Sequence, residues 1–149
     1  MSSPDGSTVT FRRAQTAVRP RILERFARRL ESEVADGRPF GCLIAGDAEV
    51  RKLNRQYRGK DAATDVLSFP SVSPSTYLGD IAISLARARA QAREFGHSAE
   101  TEIQILMLHG VLHLIGMDHE TDRGRMARAE KRWRARFNLP NGLIERVRS

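Results

Sequence analysis

Apolar positions along this chain change period several times, and each change marks an element. Val9 and Phe11 alternate with polar neighbours, which predicts a short strand over residues 8–13. After Pro20, a residue suited to a first helical turn, Ile22, Leu23, Phe26, Ala27, Leu30 and Val34 recur at helical spacing, and Asp36-Gly37 ends that helix. Residues 40–45 read as a buried strand, and Val50, Leu53 and Tyr57 give residues 47–57 the apolar side of a second helix. A strand over 64–69 closes at Pro70, a serine-rich loop free to move fills 71–77, and another strand covers 78–84. The alanine-rich residues 85–95 favour helix and stop at Gly96. In the next helix Glu100 and Glu102 complement the positive end of the helix dipole. That helix is apolar almost all round to Ile115, which puts it at the centre of the molecule. A last helix over 122–137 pairs an apolar stripe of Met126, Ala129, Trp133 and Phe137 with a stripe of Arg125, Arg128, Arg132 and Arg136.

The sum is an α+β chain: a small mixed sheet packed with about five helices, one of them central and buried. Polar residues 1–7 read as a disordered start, and 8–149 as a single compact domain. The pattern leaves strand order open. One strand is expected beside the central helix, lining a cleft.

At 149 residues the chain is long enough to bury a sizeable core. Hydrophobic residues make up 40% of it without a run able to span a bilayer, so no membrane partner is expected. Residues 1–7 lack the basic and apolar regions of a signal peptide. The single cysteine, Cys42, excludes an intramolecular disulfide, and both features fit the cytoplasm. Leu43 and Ile44 beside Cys42 mark it as a structural thiol.

The net charge of +7 is unevenly spread. Residues 1–120 carry 16 basic and 15 acidic side chains, residues 121–149 carry 9 and 3, so the excess is +1 in the first and +6 in the second. Such a surface suits a polyanion, or is simply a solvated arginine-rich helix. Arginine outnumbers lysine 22 to 3, and guanidinium matches phosphate geometry.

The candidate chemistry is concentrated in residues 109–119, which hold three of the four histidines. His109 and His113 sit one helical turn apart on the same face. Gly116 is a helix stop able to reverse the chain, bringing His119 back towards them. Three imidazoles with an open fourth position are what a catalytic zinc requires. The spacing is similar to that of the metzincin proteases, but Gly110 stands where they carry the glutamate base, which counts against peptide hydrolysis. A second stretch, Arg58-Gly59-Lys60, is a basic turn that either holds a phosphate or faces water.

Taken with Leu53-Asn54, Tyr57-Arg58-Gly59-Lys60-Asp61, residues 64–70 and Leu78-Gly79-Asp80-Ile81, the histidine motif makes the chain resemble the YbeY family of bacterial endoribonucleases, over roughly residues 50–120. Where members often have an aromatic residue before the Asp-His pair, this chain has Met117. The resemblance implies a metzincin-like fold with one zinc ion per chain on His109, His113 and His119, and Arg58 as the essential arginine of an RNA cleft. It implies single-strand cleavage in the maturation of small-subunit ribosomal RNA at its three-prime end, and a role in ribosome quality control. The expected partners are ribosomal RNA, the small ribosomal subunit and ribosomal proteins. Arg55, Lys60, Arg125 and Arg132 are the further candidates for RNA contact. Attack by a metal-held hydroxide and by the ribose 2′-hydroxyl both remain open, and no residue is an obvious base: Asp118 abuts His119 and can orient it, Asp65 is equally a structural residue, and Asp80 after Gly79 is expected to organise a turn. The rival readings are a non-catalytic, metal-stabilised assembly factor that binds ribosomal RNA and, less favoured, a metalloprotease.

Overall fold

The computed structural model describes residues 6–12, 18–117 and 123–140. Strands β1 (Thr8–Phe11), β2 (Gly41–Ala45), β3 (Val66–Pro70) and β4 (Gly79–Ser84) form one sheet in the order β1-β2-β4-β3. β1, β2 and β4 run parallel, and β3 lies antiparallel to β4 at an edge. That edge position accommodates Pro70, which pairs with Gly79 at the end of the ladder without having to donate to a further strand.

Five α-helices complete the fold: α1 (Pro20–Arg29), α2 (Asp47–Arg58), α3 (Leu85–Phe95), α4 (Ala99–Leu114) and α5 (Arg125–Arg136). α1 does not continue as a regular helix to residue 35. It widens into a π-helical turn over Leu30–Val34, closed by Ala35 N–H donating to the Leu30 carbonyl at 2.9 Å.

Alternation along the strands sorts side chains onto two faces. On one, Cys42, Ile44, Ile81 and Ile83 join Leu23, Phe26, Leu106, Met107, Met126 and Phe137 in the main core of α1, α4 and α5. On the other, Ala45, Leu67 and Ala82 meet Val50 of α2, with Leu43, Leu53 and Phe69 packed against them. Cys42 is fully buried, and burial pushes its thiol up to about 12, as a structural cysteine requires.

α4 is sheathed by protein along nearly its whole length, from Glu102 to Leu114. Each fully buried Leu, Ile or Met side chain contributes about 1.5–3 kcal/mol, so this helix anchors the fold. Glu102 sits in the first turn of α4, as expected. It has no exposed surface and lies 2.6 Å from His97 Nε2. Ser7, assigned from sequence to the polar start, is also buried, with its N–H and hydroxyl donating to Glu31 and its hydroxyl accepting from Phe40 N–H. No helix among the described residues is long and apolar enough to cross a membrane.

Candidate functional site

His109 and His113 lie one turn apart in the second half of α4. Their Nε2 atoms face each other at 3.2 Å, with the rings at 76°. Behind them, His109 Nδ1 is 2.8 Å from Oε2 of Glu130, which α5 carries into the core at 2% exposure. A carboxylate only accepts, so this contact assigns the His109 proton to Nδ1 and leaves Nε2 with a lone pair aimed at His113. Two nitrogens each about 2.0–2.1 Å from a tetrahedral ion stand roughly 3.3 Å apart, so the observed spacing fits a shared zinc. A carboxylate behind a ligating histidine also belongs to such centres, because it fixes the tautomer and ring orientation.

Sequence reading missed Glu130. The signal was present: it is an acid four residues after Met126 and three before Trp133, on the apolar side of a helix otherwise rich in arginine. An acid on a face bound for the core needs a partner there.

The turn after α4 forms as expected. Gly116 adopts φ +100°, and Met117 N–H donates back to the Leu112 carbonyl at 3.1 Å. Asp118 and His119 lie outside the described residues, so the structure supplies two of the three expected ligands. Among the described residues no set of three His, Cys, Asp or Glu side chains converges on one point.

Position 110 has a definite packing reason to be glycine. A Cβ there would come within 2.9–3.1 Å of three side-chain atoms of Ile81 in the neighbouring strand β4. The Gly110 carbonyl accepts from the Ser68 hydroxyl of β3 at 3.2 Å. α4 thus lies tight against β3 and β4, and the space a glutamate base would need is filled by core.

The basic turn follows α2. Gly59 caps the helix in the left-handed conformation at φ 70°. The loop beyond it is pinned by Lys60 N–H donating to the Asn54 carbonyl and by the Asn54 side-chain amide donating to the Ala62 carbonyl. Arg58 and Lys60 are exposed and have no ion-pair partner among the described residues. Arg51 instead donates to Asp61 at 2.8 Å, and Arg55 approaches the same carboxylate at 3.8 Å. On α5, Arg125 and Arg132 are exposed, whereas Arg136 donates to Glu33 and Arg128 to the Arg123 carbonyl. The arginine stripe is therefore partly committed to structure. Asp65 accepts from Gln91, and Asp80 accepts from the Tyr77 hydroxyl, so both organise local contacts.

With this geometry in hand, comparison with known proteins is decisive. Residues 8–138 match the family model described as Endoribonuclease YbeY. The chain belongs to the endoribonuclease YbeY family. A relative from Solibacter usitatus named Endoribonuclease YbeY is 71% identical over 149 residues, covering all of both chains. Relatives of the same name from Nautilia profundicola and Helicobacter pylori are 50% and 46% identical, each over 70% of this chain and 76% of theirs. The fold is likewise similar to the solution structure of a Thermotoga maritima protein, with a TM-score of 0.59 and 30% identity over 85% of each chain. The two histidines and the basic turn both fall inside the stretch the family model matches.

Proposed function

We propose that this protein is a zinc-dependent, single-strand endoribonuclease acting in the cytoplasm on small-subunit ribosomal RNA, in maturation of its three-prime end and in ribosome quality control. Membership of the endoribonuclease YbeY family supports RNA cleavage. The observation that carries the metal-dependent reading is the pair of Nε2 atoms 3.2 Å apart with Glu130 behind His109. His109 and His113, joined by His119, would hold the ion.

When bound, zinc supplies Lewis acidity, which polarises a phosphoryl oxygen and makes a coordinated water more acidic. The chain's own residues do the remainder. Glu130 keeps the His109 lone pair aimed by holding the proton on Nδ1. Arg58, which meets no carboxylate among the described residues, would grip the scissile phosphate through paired N–H donors and offset charge as it develops. Lys60 and Arg55 would guide the flanking backbone, and Arg125 and Arg132 would add longer-range attraction to the RNA and to the small subunit with its ribosomal proteins.

A second reading, a non-catalytic factor that binds ribosomal RNA with metal merely holding the fold, draws support from position 110, where core packing leaves no room for a base. One experiment separates the two. Zinc content by elemental analysis and cleavage of a small-subunit ribosomal RNA precursor are measured on wild type, His113→Ala and Arg58→Glu proteins purified identically. The enzyme reading expects cleavage in wild type alone, with zinc kept in Arg58→Glu and lost in His113→Ala. Equal residual cleavage in all three would assign the activity to a contaminant and leave the assembly factor.

A further inference from the structure

On the face of the sheet away from α4, α2 covers only part of the strands. The uncovered part is an open hollow of about 440 Å³ whose lining includes Thr8, Thr10, Leu43, Phe69, Asp80 and Tyr57. Tyr57, from the last turn of α2, is 70% exposed, an unusual state for a large aromatic ring beside a core. It meets Phe69 of β3 edge to face, with centroids 5.6 Å apart and planes at 65°, which steadies the ring and leaves most of it to solvent. The hollow also has a fixed polar floor. The Tyr77 hydroxyl donates to Asp80 Oδ1 at 2.6 Å, and the couple sits over Gly41, where a Cβ would meet both atoms at 2.5–2.6 Å. Exposed Arg58 and Lys60 follow Tyr57 directly in the chain.

We propose that this hollow binds an unpaired nucleobase of the RNA, stacked on Tyr57, while Arg58 and Lys60 hold the adjoining phosphates. The inference rests on RNA being the substrate, and it adds where a base is held. Aromatic rings flanked by cations are how single-stranded RNA is bound when sequence matters little. Thr8, Thr10 and Asp80 supply hydroxyls and a carboxylate for the edge of the base. A protein segment fits less well: the floor is the face of the sheet, whereas an added strand pairs along an edge. β3 links the two regions, because Phe69 faces Tyr57 while the preceding Ser68 reaches Gly110, next to His109 on α4. The edge strand β3 thus touches both the ring of Tyr57 and the helix that carries the histidines.

Binding, not cleavage, tests this. A short single-stranded RNA carrying one 2-aminopurine is titrated against wild type, Tyr57→Phe, Tyr57→Leu and Tyr57→Ala proteins of matched thermal stability, reading anisotropy and probe fluorescence. Wild type and Tyr57→Phe should quench the probe, whereas Tyr57→Leu and Tyr57→Ala should bind about 5-fold or more weakly without quenching. The same RNA made abasic at the probe position should lose that factor against wild type and none against Tyr57→Ala. Unchanged affinity and quenching in Tyr57→Leu and Tyr57→Ala would overturn the nucleobase site, give the hollow to another occupant such as a protein segment, and leave RNA as substrate. Absence of binding by every protein would sink the RNA reading and the site with it.

Discussion

Glu130 and Asp61 each meet a nitrogen partner at 2.8 Å, yet the two contacts do different work. Glu130 is in the core with its oxygen on His109, and both residues are buried. Asp61 lies in solvent, where Arg51 and Arg55 share it and its side chain keeps 52% exposure. In the core the desolvation already spent makes the geometry stiff, so the contact fixes which imidazole nitrogen of His109 faces His113. At the surface the same distance fixes little, because water and salt screen it. The difference teaches how the protein divides labour: the direction of His109 is set by burial under α5, whereas Arg58 and Lys60, exposed and without an ion-pair partner among the described residues, can follow a flexible polyanion.

The strongest test of that division removes one of the proposed ligands. His113→Ala should lose zinc by elemental analysis, abolish RNA cleavage, and lower the thermal midpoint of the zinc-loaded protein to that of the wild type in chelator. At the exposed end, Arg58→Glu should abolish precursor cleavage with zinc content and thermal midpoint unchanged, and should flatten the dependence of RNA binding on salt. If it lost zinc as well, the two regions would not be separable. Glu130→Gln sharpens the buried side: zinc affinity, by competition with a chromogenic chelator, should fall about 10- to 100-fold because the Nδ1 partner has changed. Gly110→Ala measures how tightly α4 is held. Alanine gains about 1 kcal/mol in a helix interior, but pressing on Ile81 costs about 1–3 kcal/mol, so denaturant unfolding should show a small net loss.

The smallest effect belongs to the surface pairs. Hydrogen bonds from Arg51 to Asp61, from Arg87 to Asp47 and from Arg136 to Glu33 hold those carboxyls below their ordinary values of 3.8, 3.8 and 4.5. A depressed folded-state pKa gives stability that is present above the unfolded value and is lost as pH falls through the folded one. The contribution of these pairs to the urea midpoint should thus be level at neutral pH and decline only below about pH 4. Asp61→Asn should barely move the neutral midpoint. A clear loss there would break the contrast between buried and exposed contacts.

Much of this was legible in the chain because it is local. Period sets the strands and helices, glycines set the stops, and a spacing of four puts His109 and His113 on one face whatever surrounds them. The central place of α4 followed from apolar residues on every side of it. Motif order also pointed to the family before any contact was known. Other features needed the packed molecule. The strand order β1-β2-β4-β3 carries no periodic signature, since it depends on which strand edges meet. Glu130 is 21 residues from His109, and Tyr57 finds Phe69 across a turn and an edge strand. Gly110 read as a missing base, whereas the reason for it is Ile81, a side chain 29 residues away. Sequence determines what each segment will form and which groups it offers. Only the fold decides which of them meet and which stay in water, because burial and long-range contact are properties of the whole chain at once.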